Sequence, residues 1–333
     1  MTGEHGTFII SLDFELHWGG FEKWPLESYK QYFLNTRQAI PKMLSLFQQH
    51  EVHVTWASVG MLFHSTRESL LKNIPPQQPG YTVKELSAYH YIKKHGIGET
   101  EKEDPFHFAA SLIKQISDTP FQELGSHTFA HYYCNEEGQT LEQFRSDLRA
   151  AQASATLYGQ TLRSLVFPRN QFNEQYLKVC HEEGFTSVRD NPRDWFWNIQ
   201  STQQESSWKR LNRGLDAYWP IGKKNTYTLK SIEHRAGLPL CIPASRLLRP
   251  YRPKELFLNT LKISRIKSEM ERAAKRGEIY HLWWHPHNFG NYPEQSLQGL
   301  DHILQHYARC RNIYGMQSMT MSEVAEWIMN GKS

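Results

Sequence analysis

Short apolar runs alternate along the chain with longer segments of helical periodicity, and this alternation restricts the possible folds more than any other feature. The predicted strands are rich in β-branched and aromatic residues: Phe8–Leu12, Val52–Val59, Leu162–Phe167, Phe185–Val188 and Ile279–Trp284. The predicted helices are Ser28–Gln49, one that begins at Asp104-Pro105, Leu141–Leu157, Asn173–Glu183, Pro253–Arg276, Ser296–Cys310 and Ser322–Met329. Such alternation is typical of an α/β fold with a parallel sheet and outer helices.

Two stretches interrupt the alternation. Residues 64–104 are polar and turn-rich, and residues 190–252 are largely irregular in pattern. A chain of 333 residues could form two domains, but α/β barrels of more than 200 residues are common as one. We therefore predict a single domain over residues 5–330, with insertions near 64–104 and 190–252.

Charge and cysteine usage exclude several protein classes. The chain has 38 Lys and Arg against 34 Asp and Glu, a net charge of +4, which gives no reason to expect a nucleic-acid partner. No apolar stretch approaches the length of a transmembrane helix. The N-terminal residues lack the pattern of a secretory signal. The four cysteines lie far apart, which argues against a disulfide framework and a cysteine zinc site. These features predict a cytoplasmic protein.

The segment Gly125-Ser-His-Thr-Phe-Ala-His131 places two histidines four residues apart. On a helix, His127 and His131 would share one face, and two imidazoles on one face can bind a metal ion. Such a pair also arises by chance, because the chain contains 17 histidines. The spacing alone is compatible with a metal site and with two ordinary histidines.

Asp13 and Glu15 follow the first predicted strand, with one residue between them. In extended backbone both project to the same side, where one could bind a metal and the other act as a general base. The alternative is a capped turn in which they accept backbone N–H groups. Together with the histidine pair, the metal-site interpretation is favoured.

Two further strand ends carry polar candidates. His285 and His287 follow Ile279–Trp284, and a histidine that faces a metal across a pocket is suited to act as a general acid. Arg169 follows Leu162–Phe167 and could hold a carboxylate with both arms of its guanidinium. The alternatives are histidines that only pack and hydrogen-bond, and a surface salt bridge.

The order of these motifs resembles the polysaccharide deacetylase family, the NodB-homology enzymes of carbohydrate esterase family four. The resemblance covers about residues 8 to 325 and includes Thr55–Gly60, which is similar to the family's second strand. It implies a NodB-like fold, a distorted (β/α) barrel of seven or eight mainly parallel strands. The motifs in order are Asp13 at a strand end, His127-Thr-Phe-Ala-His131, Arg169 at a strand end, Asp194-Trp195 and His285 at a strand end.

The resemblance also implies a role for each motif. Asp13 corresponds to the catalytic base, His285 to the general acid and Arg169 to the arginine that braces the base. The implied enzyme is a metal-dependent hydrolase that cleaves a linear C–N amide bond and removes an acetyl or formyl group from a sugar. The implied ligands of its one divalent metal ion, with Zn²⁺ preferred, are Glu15, His127 and His131.

The chain departs from the family's commonest pattern at two motifs. The first motif is Asp13-Phe14-Glu15 instead of adjacent aspartates, and Pro168 precedes the arginine instead of following it. The first motif resembles an atypical branch with Asp-x-Asp or Asp-x-Glu, which includes cytoplasmic enzymes acting on sugars or small amides. We therefore expect the substrate to be a precursor in surface-polysaccharide or lipopolysaccharide biosynthesis.

Basic and aromatic residues suggest where a substrate would bind. Residues 246–252 contain three arginines, and arginine forks suit phosphate, so the predicted sugar is nucleotide-linked or lipid-diphosphate-linked. The alternative is a solvated basic surface. Trp283 and Trp284 could also wall a sugar pocket. The predicted substrate-binding residues are Trp18, Asp194, Trp195, Arg246, Arg249 and His287.

Three other functions compete with this one. The main alternative is a catalytically silent carbohydrate-binding barrel, which the paired carboxylates and the complete histidine motif argue against. Nucleic-acid binding through the basic stretch would be strongly salt-dependent. A glycoside hydrolase that uses Asp13 and Glu15 as its acid pair would resist chelators. The sequence leaves the oligomeric state open.

Overall fold

The computed structural model describes residues 5–192 and 225–331. The strands in these residues form one sheet, and every recorded strand pair is parallel. They are β1 (Thr7–Phe14), β2 (Val54–Ser58), β3 (Gln122–Ser126), β4 (Ser164–Leu165), β5 (Ser187–Asp190), β6 (Leu240–Pro243), β7 (Arg246–Leu247), β8 (Ile279–Trp284) and β9 (Gln317–Ser318).

Helices connect most of the strands and cover the sheet. In the described residues they are α1 (Leu26–Gln49), α2 (Arg67–Lys72), α3 (Ala88–His95), α4 (Ala110–Asp118), α5 (Leu141–Thr156), α6 (Glu174–Glu182), α7 (Leu256–Arg276), α8 (Pro293–Tyr314) and α9 (Met321–Met329). Capping boxes start α5 and α9, and left-handed glycines, Gly277 and Gly315, end α7 and α8. These signals match common helix boundaries.

β1 lies in the middle of the sheet, between β2 and β8. All eight of its residues are buried, and Leu12 is paired with Trp56 on one side and Trp284 on the other. A strand buried on both faces is expected where helices cover a parallel sheet. The apolar run predicted from the sequence therefore became a central strand, and its end is enclosed by the barrel.

The sheet order is β6-β5-β4-β3-β2-β1-β8-β7, with β9 paired to β1. β6 and β7 lie at opposite edges of this order, yet only two residues separate them. The Ala244 N–H donates to the Asp190 carbonyl (2.9 Å) and the Ser245 N–H to the His281 carbonyl (2.7 Å). Residues 240–247 thus join the two edges and curl the sheet into a barrel, which confirms the predicted distorted α/β barrel.

Three local predictions differ from the structure. The insertion predicted near 190–252 extends too far, because residues 240–247 belong to the sheet; these strands are too short, and too interrupted by Pro243, to show a period. The strand predicted at Leu162–Phe167 is only two residues long. The helix predicted from Asp104 begins at Ala110, because the Asp104 carboxylate accepts the N–H groups of residues 106 and 107 and holds a turn.

Candidate functional site

Polar side chains converge at the carboxyl ends of four strands. Asp13 and Glu15 lie at the end of β1, His127 follows β3, Arg189 lies in β5, and His285 follows β8. Because all these strands are parallel, their carboxyl ends share one edge of the barrel, which is where barrel enzymes build their active sites. The predicted proximity of the carboxylates and the histidines is therefore observed.

Glu15 is the centre of a buried cluster with two histidines. Its Oε1 atom lies 2.9 Å from His127 Nε2 and 3.3 Å from His131 Nε2. The three residues are at most 4% exposed. Burial alone raises the pKa of Glu15, but nearby His285 and the hydrogen bonds from the two imidazoles hold it well below the usual range. Burial lowers the pKa of His131. These shifts favour an ionised carboxylate next to a neutral imidazole.

The two histidines do not share a helix, so that prediction is wrong. Residues 127–131 form a loop, here called the histidine loop, in which Thr128 and His131 have φ values of 63° and 55°. The Asp147 carboxylate accepts the N–H groups of Phe129 (2.6 Å) and Ala130 (3.1 Å), and thus takes donors that a helix would use. Five of the seven described non-glycine residues with positive φ lie in loops around this site. Such clusters of strained backbone are typical of functional sites.

The loop after β2 supports the histidine loop from the other side. The Gly60 N–H donates to the Thr128 carbonyl (2.9 Å), and the His127 N–H donates to the Ser58 carbonyl (2.9 Å). A Cβ atom on Gly60 would lie 2.9 Å from the Cα of Phe129. The close approach of the two loops therefore requires glycine at this position.

The Glu15 cluster suits a divalent cation. One carboxylate oxygen and two imidazole nitrogens lie within 4.8 Å of one another, and a set of histidines and a carboxylate is typical of catalytic zinc sites. The Tyr133 hydroxyl lies 2.9 Å from His131 Nδ1, as an outer partner of a metal ligand would. Buried His127 Nδ1 has no hydrogen-bond partner among the described residues. The donors fit the predicted ion.

A second group of donors, Asp13, Glu15 and His285, also lies within this distance. It suits a cation less well, because a guanidinium occupies both oxygens of Asp13. Arg189 Nη1 donates to Asp13 Oδ1 (2.5 Å) and Arg189 Nη2 to Asp13 Oδ2 (2.7 Å). Burial raises the pKa of Asp13, but Arg189 and His285 outweigh burial and lower it overall. Asp13 is thus an ionised carboxylate held in one orientation.

The arginine that braces Asp13 is Arg189, and not the predicted Arg169. Arg169 instead forms ion pairs with Glu22 and with Glu136 (3.5 Å), and its guanidinium lies 4.0 Å from the centre of the Tyr133 ring. Arg169 and its neighbour Asn170 have positive φ values of 54° and 52°. This turn directs Arg169 toward Tyr133, and so toward the hydroxyl beside His131.

Arg189 is itself held by a buried network. Its guanidinium donates to Ser11 Oγ and Asn170 Oδ1, both at 3.2 Å, and lies over the Trp283 ring at 4.2 Å. Ser11 Oγ lies 2.8 Å from His281 Nε2 inside the barrel. The sequence pattern does not single out Arg189, because the predicted strand ends at Val188. A charged residue inside a buried strand, as in Ser187–Asp190, is the signal that could have revealed it.

His285 faces both carboxylates. Its Nε2 atom lies 3.6 Å from Asp13 Oδ2 and 3.6 Å from Glu15 Oε1, and its side chain is 27% exposed. His287 stacks on His285 with ring centres 4.8 Å apart and is buried, with Nδ1 4.0 Å from Glu15 Oε2. Burial and His285 lower the pKa of His287 to about 3. His285 is therefore the more accessible of the two.

Several predicted substrate-binding residues lie elsewhere. Trp18 is fully buried, and its indole N–H donates to the His107 carbonyl (2.9 Å), so it belongs to the core. Trp284 is also fully buried. Arg246 forms a buried ion pair with Glu269 through two hydrogen bonds of 2.6 and 2.7 Å. Their position in the core contradicts a direct role in binding substrate. Asp194 and Trp195 lie outside the described residues.

Comparisons with known proteins bear on the family and on the fold. A family model described as polysaccharide deacetylase matches residues 28–188, which include His127 and His131. No curated protein matches the sequence. In residues 5–192 and 225–331, no helix is long and apolar enough to cross a membrane.

Solved structures of similar fold cover the whole chain. Two whose names assign them to the polysaccharide deacetylases come from Mycobacterium smegmatis and Pseudomonas aeruginosa PAO1. The first is 13% identical with a TM-score of 0.61, and covers 100% of this chain and 93% of that chain. The second is 12% identical with a TM-score of 0.58, and covers 100% and 94%. PuuE allantoinase is also 12% identical with a TM-score of 0.58, and covers 100% of this chain and 94% of that chain. At these identities the similarity shows the fold alone.

Proposed function

We propose that the chain is a member of the polysaccharide deacetylase family and a metal-dependent hydrolase that removes an acetyl or formyl group from the nitrogen of a sugar. One observation carries the proposal. Two buried carboxylates, one residue apart, have different partners: Glu15 faces two imidazole nitrogens, whereas Asp13 is held by an arginine fork. This difference supports separate roles in metal binding and proton transfer.

Glu15, His127 and His131 would hold the divalent ion, and Zn²⁺ is the ion we propose. A bound divalent ion polarises a carbonyl and makes a water molecule more acidic. The three side chains leave other positions for substrate, as in catalytic sites with three protein ligands. The buried, ionised state of Glu15 supports this assignment.

Asp13 is the proposed general base. It accepts a proton as water attacks the amide carbonyl carbon. Arg189 keeps Asp13 ionised and fixes the direction of its oxygens, because both guanidinium nitrogens hydrogen-bond to the carboxylate. Ser11 and Asn170 in turn hold Arg189. The base is therefore oriented before the substrate binds.

His285 is the proposed general acid. An amine leaves an amide only when its nitrogen is protonated, and a histidine near neutral pH can supply that proton. His285 lies next to both carboxylates but is partly exposed, which allows contact with a substrate in the barrel mouth. The reaction consumes one water molecule and yields a free carboxylic acid and an amino sugar.

The substrate proposed for this site is an N-acylated precursor in surface-polysaccharide or lipopolysaccharide biosynthesis, nucleotide-linked or lipid-diphosphate-linked. The family model supports a sugar. The linkage to a nucleotide or a lipid diphosphate rests on the sequence pattern of residues 246–252 alone. Membership of the Asp-x-Glu branch, a cytoplasmic location and a single-domain organisation over residues 5–330 remain predictions of the sequence.

The proposal is tested by measuring acetate and formate released from free, nucleotide-linked and lipid-linked N-acyl sugars, together with the metal content of the protein. Release that needs a divalent ion and is lost in Asp13→Asn is the expected result. A protein that binds metal and sugars but releases no acid would be the silent carbohydrate-binding barrel. Activity that resists a chelator would favour a glycoside hydrolase.

A further inference from the structure

A cleft of about 550 Å³ lies between the N-terminal halves of α7 and α8. None of the proposed metal-binding or catalytic residues lines it. Phe289, which forms part of its wall, belongs to the same short turn as His287, so this turn contributes a residue to the cleft and a residue to the candidate active site. Its volume is within the range of small-molecule sites.

One part of the cleft is basic. Arg249, Lys262 and Lys267 line it, and no Asp or Glu is among the described residues of its wall. Buried Lys262 donates to the carbonyls of Arg249 (3.0 Å) and Pro250 (2.7 Å) and to Asn259 Oδ1 (2.9 Å), which fixes the loop that carries Arg249. With all three N–H groups used in this way, Lys262 contributes its charge to the cleft. The Glu255 carboxylate, close to Lys262, is paired with Arg252 (3.1 Å). The charge of this part of the cleft suits an anion.

Two helix N-termini also open into the cleft. α7 and α8 are 21 and 22 residues long, and neither has a side-chain hydrogen bond at its N-cap. Residues of both first turns line the cleft: Leu256, Gln295 and Ser296. The free N–H groups of a helix N-terminus attract phosphate and other anions.

Ser296 provides the independent sign of a ligand. It is 8% exposed, and its buried Oγ atom has no hydrogen-bond partner among the described residues. Buried hydroxyl groups normally have a partner, because leaving one unpaired costs free energy. A ligand oxygen in the cleft would accept the hydrogen bond that the protein does not provide.

The rest of the wall is apolar. Leu248, Ile263 and Phe289 line the cleft, and Leu256 at its edge is 66% exposed. Phe257, next in the chain, is 71% exposed. Exposed large apolar side chains beside a cleft are suited to bind hydrocarbon.

We propose that this cleft binds an anionic amphiphile, a phosphate group carried on a hydrocarbon chain. The phosphate lies at the two helix N-termini, near Lys262 and the Ser296 hydroxyl, and the chain lies along Ile263 and Phe289. The proposal concerns binding alone and does not depend on the proposed hydrolysis.

The first test is calorimetric binding of dodecyl phosphate below its micelle concentration, compared with inorganic phosphate and with an uncharged detergent of equal chain length. Dodecyl phosphate should bind at least about tenfold more tightly than either, because only it uses both parts of the cleft. Asp13→Asn should bind it as the native protein does, which separates this proposal from that of hydrolysis. Equal affinity for the uncharged detergent would overturn the proposal.

Two variants locate the site. Ser296→Ala removes only an unpartnered hydroxyl, so its melting temperature should be unchanged or higher while dodecyl phosphate binds about tenfold more weakly. Gly299→Leu should fill the cleft, since a Cβ at Gly299 would meet only Ile263 Cδ1, at 3.6 Å. Gly299→Ala is the matched control and should bind within about twofold of the native protein.

Native affinity in both Ser296→Ala and Gly299→Leu, with both variants folded, would show that the amphiphile binds elsewhere. Binding to vesicles of anionic phospholipid without binding of monomeric dodecyl phosphate would also contradict the proposal. In that case the exposed Leu256 and Phe257 would contact a membrane surface instead, and the cleft would have no ligand of its own.

Discussion

Asp13 and Glu15 show how the partners of a side chain determine its chemistry. Both are buried, and burial alone would raise both pKa values. Arg189 reverses this for Asp13 with two hydrogen bonds, whereas imidazole groups reverse it for Glu15. The guanidinium hydrogen-bonds to both oxygens of Asp13 and repels a cation. The neutral imidazoles beside Glu15 can instead bind the same cation as its carboxylate. Metal binding and proton transfer are thus assigned to different carboxylates.

The role of Arg189 is tested by comparing Arg189→Lys with Arg169→Lys. Lysine keeps the charge but cannot form the paired hydrogen bonds, so we expect Arg189→Lys to lower kcat about a hundredfold with unchanged metal content. Arg169→Lys should affect kcat less, since Arg169 pairs with Glu22 and Glu136. A larger loss of kcat in Arg169→Lys would restore Arg169 as the brace of the base.

Arg246 is predicted to stabilise the fold and not to bind substrate. Arg246→Met leaves the Glu269 carboxylate buried with fewer partners, and we expect a loss of about 3 kcal/mol in the free energy of unfolding. The KM for the N-acyl sugar should not change at a temperature where the variant is folded. Urea unfolding and steady-state kinetics measure the two effects, with half-buried Arg249→Met as the comparison for stability. An increase in KM without a loss of stability would contradict this assignment.

At the scale of elements, the histidine loop depends on its neighbours. α5 supplies Asp147, which accepts two backbone N–H groups of the loop, and the loop after β2 supplies hydrogen bonds from the opposite side. Thr128 Oγ1 also accepts the Tyr132 N–H at 2.7 Å. These bonds stabilise positive φ values that residues such as threonine rarely adopt. The two histidines, four residues apart, are therefore brought together by a loop and not by a helix.

The stability that Asp147 provides should depend on pH. Burial raises its pKa from 3.8 to about 7, so between these values the folded state keeps a proton that the unfolded state has lost. This contribution is complete below about pH 3.8 and is lost as the pH rises through about 7. Asparagine does not titrate. The stability advantage of the native protein over Asp147→Asn should therefore be largest in acid and decrease by at most about 4 kcal/mol toward pH 8.

Urea-unfolding midpoints of the metal-free proteins at several pH values would measure this difference. A difference that stays constant from pH 5 to pH 8 would show that Asp147 has an ordinary pKa. The same variant should bind Zn²⁺ about tenfold more weakly, because it loosens the loop that carries both histidines.

At the scale of the whole molecule, the barrel brings together groups that are far apart in sequence. The segment 240–247 joins β5 to β8, and the parallel strands then direct Asp13, His127 and His285 to one edge. The proposed metal ligands come from the end of β1 and from the loop after β3, two regions that β2 separates in the sheet. An ion bound there would link them.

Metal binding should therefore stabilise the folded protein. A free Zn²⁺ concentration 100 times the Kd should add about 2.7 kcal/mol to the free energy of unfolding, since the ligands are assembled only in the folded state. A rise in melting temperature, reversed by a chelator, would show this. His131→Ala should not respond at the same concentration. An equal rise in that variant would place the bound metal outside the proposed site.

Local sequence patterns are sufficient to predict the fold class and most residues of the candidate site. The alternation of apolar runs and helices predicted a parallel α/β barrel, because burial imposes a local period on each element. The positions of Asp13, Glu15, His285 and the two loop histidines followed from the strand ends next to them. Their convergence is a general consequence of parallel strands.

The pairing of side chains depends instead on the assembled barrel. Arg189 and Asp13 are 176 positions apart, and no local pattern selects Arg189 over Arg169. The residue types of Trp18 and Arg246 suggest ligand binding. In the core, however, Trp18 donates to a backbone carbonyl and Arg246 to a buried carboxylate. Residues 240–247 show no strand period, but two distant strands supply their hydrogen bonds. Each outcome depends on contacts between distant segments, which exist only after the barrel has formed.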